Sequence, residues 1–125
     1  SMGRGSELSF EAVNAVFGRD SQHTHLELAQ LWEGYRGRVV SWQGAVKDVE
    51  RNEEEGGYTL RVRCAQGDGA ADTVAHCSEA QATVLARLHK GDVVSITGTL
   101  VERSDEGYLL TQGYVRLLGR PPGEG

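Results

Sequence analysis

From Arg36 to Leu118, apolar residues recur at every second position in runs separated by turns, and this alternation constrains the chain more than any other feature. Successive side chains of a strand point to opposite faces, so each run must bury one row and expose the other. Residues 38–49 set Val40, Trp42 and Val46 against Ser41, Gln43, Ala45 and Lys47, with Gly44 interrupting the inward row. A glycine inside a strand marks a sharp bend or the close approach of another backbone. After the charged turn Glu53-Glu54-Glu55-Gly56-Gly57, residues 58–64 set Tyr58, Leu60, Val62 and Cys64 against Thr59, Arg61 and Arg63. Gly67-Asp68-Gly69 leads into a short third run at 72–77. Residues 92–101 give a fourth, with Val94, Ile96, Gly98 and Leu100 in one row. Residues 107–118 give a fifth, after Ser104-Asp105-Glu106.

The alternation is suspended once. Ser78 stands where a helix N-cap belongs, Gln81 at the capping-box position, and Ala82, Val84, Leu85 and Leu88 form an apolar side before Gly91. This spacing predicts a helix over 78–89. Three strands, a helix and two more strands, with bending glycines at 44 and 98, meet the needs of a small closed Greek-key barrel. The expected fold is therefore mainly β, a five-stranded OB-fold barrel whose helix plugs one end. An SH3-like barrel, the main rival, has no use for a full helix at that point.

Two short helices are expected before the barrel. The first carries Phe10, Val13, Ala15, Val16 and Phe17, with Ser9 as N-cap and Gly18 as its end. The second carries Leu26, Leu28, Ala29, Leu31 and Trp32, with Ser21 or Thr24 as cap and Gly34 as stop. Trp32 and Tyr35 then fall where helix meets barrel and are read as a staple between them. The resulting division is a loose leader at 1–7, a helical extension at 8–35, the barrel at 36–118 and a flexible tail at 119–125. Ser1-Met2-Gly3 has the look of an expression-vector remnant, so the compartment stays open, with the cytoplasm as the default.

A segment of 125 residues suits one hydrophobic core. Its net charge of −5 removes the basic surplus on which non-specific nucleic-acid binders rely, so any such role must rest on a local patch. No apolar run reaches the roughly 20 residues needed to span a bilayer. Cys64 and Cys77 are expected to be free buried thiols.

The barrel region also resembles a known group. Tyr35-Arg36-Gly37-Arg38-Val39-Val40-Ser41-Trp42-Gln43-Gly44-Ala45-Val46 is similar to the first strand of OB-fold domains of the tRNA-anticodon-binding-like family. Leu85-Ala86-Arg87-Leu88-His89-Lys90-Gly91-Asp92-Val93-Val94-Ser95-Ile96-Thr97-Gly98 is similar to that family's passage into strand four. The resemblance covers about residues 35–118. It implies the fold and a nucleic-acid-binding heritage, but a fold hosts many functions.

The candidate site is the outer face of the first two strands. Pairing Gln43 with Arg63, Ala45 with Arg61 and Lys47 with Thr59 would gather Lys47, Arg61 and Arg63 into a basic patch beside Gln43, flanked by Arg38. Single-strand binders of this fold stack bases on exposed rings. The outward row of the second strand has none, and Trp42 and Tyr58 lie on inward rows. His23 and His25, and His76 and Cys77, lack the spacing of a structural zinc site, and no cofactor is implied. No catalytic motif of hydrolases, P-loop proteins or metalloproteases is present, so no enzyme is expected. Two roles remain: a protein-interaction or scaffold module whose partner is another protein or a neighbouring domain of its parent protein, favoured by the acidic balance, and a binder of single-stranded nucleic acid or another polyanion.

Overall fold

The computed structural model describes residues 8–104 and 106–121. The leader at 1–7 and most of the expected tail lie outside these residues. The elements are α1 (Phe10–Phe17), α2 (His25–Trp32), β1 (Val39–Arg51), β2 (Tyr58–Arg63), β3 (Thr73–Cys77), a 3-10 turn at Glu79–Gln81, α3 (Ala82–Ala86), β4 (Val93–Ser104) and β5 (Gly107–Gly119). The strands close into a barrel in the order β1-β2-β3-β5-β4, with β3 and β5 parallel and the other pairs antiparallel.

The expected inward row forms the core. Val40, Trp42, Val46, Leu60, Val62, Val94, Ile96 and Leu100 are all buried, and Leu85 of α3 joins them. Leu88 packs against this cluster only in part. Gly44 is where a backbone comes close: a Cβ there would lie 2.4 Å from the Arg63 carbonyl oxygen. At Gly98 the facing strand is bulged, since Thr97 pairs with Tyr114 and Thr99 with Thr111, leaving Gln112 and Gly113 opposite one residue.

The helix between β3 and β4 is shorter than the 78–89 expected. Ser78 caps as foreseen, its hydroxyl accepting from the Ala80 N–H. Gln81 does not complete a capping box. Its Oε1 instead accepts the Val115 N–H of β5 at 3.0 Å, so the helix start is tied to the barrel wall. At the far end Arg87 and Leu88 donate three residues back, to Val84 and Leu85, and the last turn tightens and stops.

The N-terminal helices are built into the core. Ser9 caps α1, and Thr24 and Glu27 make a reciprocal capping box on α2. Phe10 meets Trp42 and Tyr108 edge-on, at ring separations of 5.3 and 5.9 Å. Phe17 meets Trp32 and Tyr35 edge-on, and Trp32 stacks on both Tyr35 and Tyr108. The Trp42 indole N–H donates to the Leu8 carbonyl at 2.8 Å, and the Tyr108 hydroxyl donates to Asn14 Oδ1 at 2.8 Å. Trp32 and Tyr35 thus act as the expected staple. Trp42 faces Ile96 across the β1–β4 pair and packs on Phe10 and Tyr108.

Arg120, assigned to the loose tail by its composition, is held. Its guanidinium reaches the buried Asp92 at 2.8 and 2.9 Å, and the His89 N–H donates to the same carboxylate. These donors, Arg120 foremost, hold the Asp92 carboxyl down at about 2. A carboxyl depressed by folding adds stability above its unfolded value, and that stability is lost as pH falls through the folded one. Arg120→Ala is therefore expected to lower the urea midpoint at neutral pH, and the gap to wild type should narrow as pH drops from about 4 toward about 2. A gap independent of pH would show that Arg120 acts through packing alone.

Candidate nucleic-acid interface and the opposite sheet face

The β1–β2 ladder differs from the register assumed for the basic patch. Ala45 pairs with Arg63, Val46 with Val62 and Asp48 with Arg61, with a bulge at Lys47. The bulge accounts for one residue of the difference; before it the ladder is already displaced by two, with Ala45 opposite Arg63 instead of Arg61. The extra residue lets both Val46 and Val49 turn toward the core, a switch that strict alternation forbids. On the β2 side the ladder begins at Ala45, so Gln43 is not paired with Arg63; on its other edge it pairs with Ser95 of β4. Thr59 is buried rather than outward, its hydroxyl donating to Asn52 Oδ1 at 2.8 Å.

The basic residues are engaged within the molecule. Lys47 Nζ lies 3.5 Å from Asp68, and Arg61 lies 3.5 Å from Glu50. Arg63 wraps the following loop, donating to the carbonyls of Gly67, Gln66 and Ala70 at 3.0 to 3.2 Å. That loop is closed from its other end by Asp72, whose carboxylate accepts the Cys64 and Ala65 N–H groups. Arg38 stands just before β1, nine residues from Lys47, which is about 30 Å of extended strand. Its carbonyl accepts from the Leu100 N–H. Lys47, Arg61 and Arg63 therefore share a sheet region, interleaved with Asp48 and Glu50; Gln43 borders a hollow with Arg63, and Arg38 stands apart just before β1.

Two hollows border this region. One of about 490 Å³ lies between Phe10, Trp42, Gln43, Ala45, Arg63 and Gln66. The other, about 1460 Å³ and open, is lined by Glu11, His23, Arg63, Asp72, Arg103 and Glu106, residues of both signs of charge. Cys64 and Cys77 are free and buried, and burial pushes their thiols up to about 12 and about 11, so neither offers a thiolate at neutral pH. Among the described residues no group of three or more His, Cys, Asp or Glu is placed to hold a metal ion.

The sequence reading missed a second surface, the outer face of β1, β4 and β5. Three cross-strand rows build it: Val39–Thr99–Thr111, Ser41–Thr97–Tyr114 and Gln43–Ser95–Arg116. The Ser41 and Thr97 hydroxyls are 3.0 Å apart, and Tyr114 is 55% exposed. The signal was the outward position of Tyr114 in residues 107–118, opposite the serines and threonines of 92–101.

No family model and no curated protein matches the chain. Solved structures do. The chain is similar to a lipoprotein from Klebsiella pneumoniae subsp. pneumoniae, provisionally classed as nucleic acid-binding, at 18% identity over 90% of this chain and 94% of that one, with a TM-score of 0.62. It is also similar to two OBodies bound to hen egg-white lysozyme. AM1L10 gives 22% identity over 70% of this chain and 84% of that one, with a TM-score of 0.53. AM3L15 gives 21% over 70% and 86%, with a TM-score of 0.54. With the closed topology and the helix between β3 and β4, these likenesses define the class: an OB-fold-like five-stranded barrel.

Proposed function

We propose that this chain is a non-catalytic OB-type binding module that makes contacts with protein. The observation that carries this reading is the fate of the basic residues. Lys47 and Arg61 sit beside carboxylates and Arg63 spends donors from all three guanidinium nitrogens on loop carbonyls, so the β1–β2 face offers a polyanion little net positive charge and few free donors. The outer face of β1, β4 and β5 instead combines tyrosine, arginine, neutral polar groups and exposed aliphatics, the composition of protein interfaces. That two barrels of similar fold are seen bound to lysozyme agrees with such use.

The alternative is single-stranded nucleic acid on the β1–β2 face, through Arg38, Gln43, Lys47, Arg61 and Arg63. The resemblance to the tRNA-anticodon-binding-like family and the classification of the Klebsiella protein favour it. Fluorescence anisotropy with labelled single-stranded DNA and RNA separates the two. The protein-contact reading expects no saturable binding at about 50 mM salt, where electrostatic binding is strong. Saturable binding that weakens steeply with salt and disappears in the Arg61→Glu/Arg63→Glu double variant would establish the nucleic-acid role instead.

A further inference from the structure

The first half of β1 has a strand on one side only. Toward β4 the main chain is bonded at alternate residues. The Leu100 N–H donates to the Arg38 carbonyl, and further on Val46 donates to the Asp92 carbonyl and accepts from the Gly91 N–H. Val40, Trp42 and Gly44 keep this phase, so Ser41 and Gln43 turn their N–H and C=O groups to the opposite edge. There β2 ends too soon. Its ladder stops at Ala45–Arg63, and Ala65, which would come next opposite Gln43, donates its N–H to the Asp72 carboxylate instead. The main-chain groups of Ser41 and Gln43 on that edge accordingly meet no partner among the described residues. Proteins blunt such edges with charged residues or proline. Residues 39–44 contain neither.

We infer that an extended peptide segment of another protein docks on this edge, pairing with Ser41 and Gln43 and adding a strand to the β5–β4–β1 sheet. The inference rests on the protein-contact reading above and names the chemistry of the partner. Donor and acceptor pairs repeating every two residues, about 7 Å apart, match an extended polypeptide backbone. A phosphodiester backbone offers the two carbonyls no donor. The edge also has room beside it. It opens on the smaller hollow, about 490 Å³, whose apolar lining comes from Phe10, Trp42, Cys64 and Ala65. The segment is paired antiparallel, as both neighbours of β1 are. Its residues opposite Ser41 and Gln43 then turn outward with them, and the one opposite Trp42 turns inward to the apolar lining. The inward residue is therefore apolar. Charge sets the outward ones. Of the two charged residues lining the hollow, Arg63 is spent on loop carbonyls and Glu11 is exposed, while the whole chain carries −5. A segment with basic outward residues fits this field, and a second copy of this acidic chain does not.

Amide hydrogen exchange during titration with a capped peptide of alternating lysine and valine tests the inference. In the unbound chain the Ser41 and Gln43 amides should exchange at least about tenfold faster than the Trp42 amide, which faces β4. Saturating peptide should slow both by about tenfold or more. Methylating the lysine amides of the peptide, which face β1, should abolish binding, whereas methylating its valine amides, which face away, should not. A glutamate–valine peptide should bind more weakly. Gln43→Pro removes one edge donor without touching the β4 ladder, a position where a strand tolerates proline, and should weaken capture at least about tenfold. If that variant does not fold, the methylated peptides decide alone. Absence of saturable binding up to about 1 mM lysine–valine peptide overturns the inference. Binding indifferent to methylation of the lysine amides overturns it equally. So does protection of the two amides by rising protein concentration alone, which would assign the edge to a second copy. Each of these results leaves the protein-contact reading standing, since that reading falls to nucleic-acid binding in the anisotropy experiment.

Discussion

Trp42→Ala is expected to destabilise the chain by about 3–5 kcal/mol, measured as the shift in the urea unfolding transition at neutral pH. The side chain is 2% exposed and lies at the seam between barrel and helical cap. Its ring meets Phe10 and Tyr108 edge-on, at 5.3 and 5.7 Å, so removal opens a cavity against two other rings instead of exposing one face to water. The Leu8 carbonyl also loses its donor. Small domains have only about 5–15 kcal/mol of net stability, so this variant should sit near the limit of folding at physiological temperature. Trp42→Phe separates the two contributions. It keeps most of the packing and loses the N–H, and should cost about 1–2 kcal/mol for the unpaired carbonyl beyond the small loss of volume. A shift below about 1 kcal/mol for the alanine variant would show that the Trp42 ring is not tightly packed at the seam between barrel and helical cap.

The inward rows and the element order were legible because burial of one face fixes the period-two pattern and because glycine marks the bends. Trp42 could be placed in the core on this ground alone. What alternation cannot reveal is a bulge. The register already differs by two residues at Ala45, which pairs with Arg63 instead of Arg61, and the extra residue at Lys47 shifts the pairings beyond it by one more, so no outward row of the expected patch keeps its partner. The basic patch failed for a second reason. Arg63 follows the strand pattern of an outward residue, yet its guanidinium is consumed by carbonyls of a loop that comes later in the chain, and such capture depends on loop geometry. Arg120 shows the converse. A Pro- and Gly-rich stretch reads as loose, but its arginine finds a buried aspartate 28 residues away. The β1–β4–β5 face was legible in principle, since the outward residues of three strands were known. No motif marks it, because its rows are built from scattered serine, threonine and glutamine with one tyrosine and one arginine.

Gly107→Ala is expected to cost about 2–3 kcal/mol or more, because two independent penalties coincide there. Gly107 opens β5 with φ at 135°, a conformation open to glycine and strained for any L side chain. A Cβ added there would also lie 1.9 Å from the Asp72 carbonyl oxygen, with the Asp72 carbonyl carbon at 2.6 Å. Neither contact can be relieved by a rotamer change, since both atoms are backbone. The close approach has a structural use. The same Asp72 carbonyl accepts the Tyr108 N–H at 3.0 Å and starts the parallel β3–β5 ladder that closes the barrel, while the Asp72 side chain pins the β2–β3 loop. Pushing β5 away would therefore weaken barrel closure and displace Tyr108 from the aromatic cluster. Calorimetric unfolding of Gly107→Ala beside Gly67→Ala makes the comparison. Gly67 also has positive φ, at 81°, but nothing lies within 4 Å of its added Cβ. The Gly67 variant should lose only the backbone strain, about 1 kcal/mol, and the difference between the two measures the steric cost of holding β5 against β3. Equal losses at the two positions would show that β5 moves freely at its start and that barrel closure does not depend on this contact.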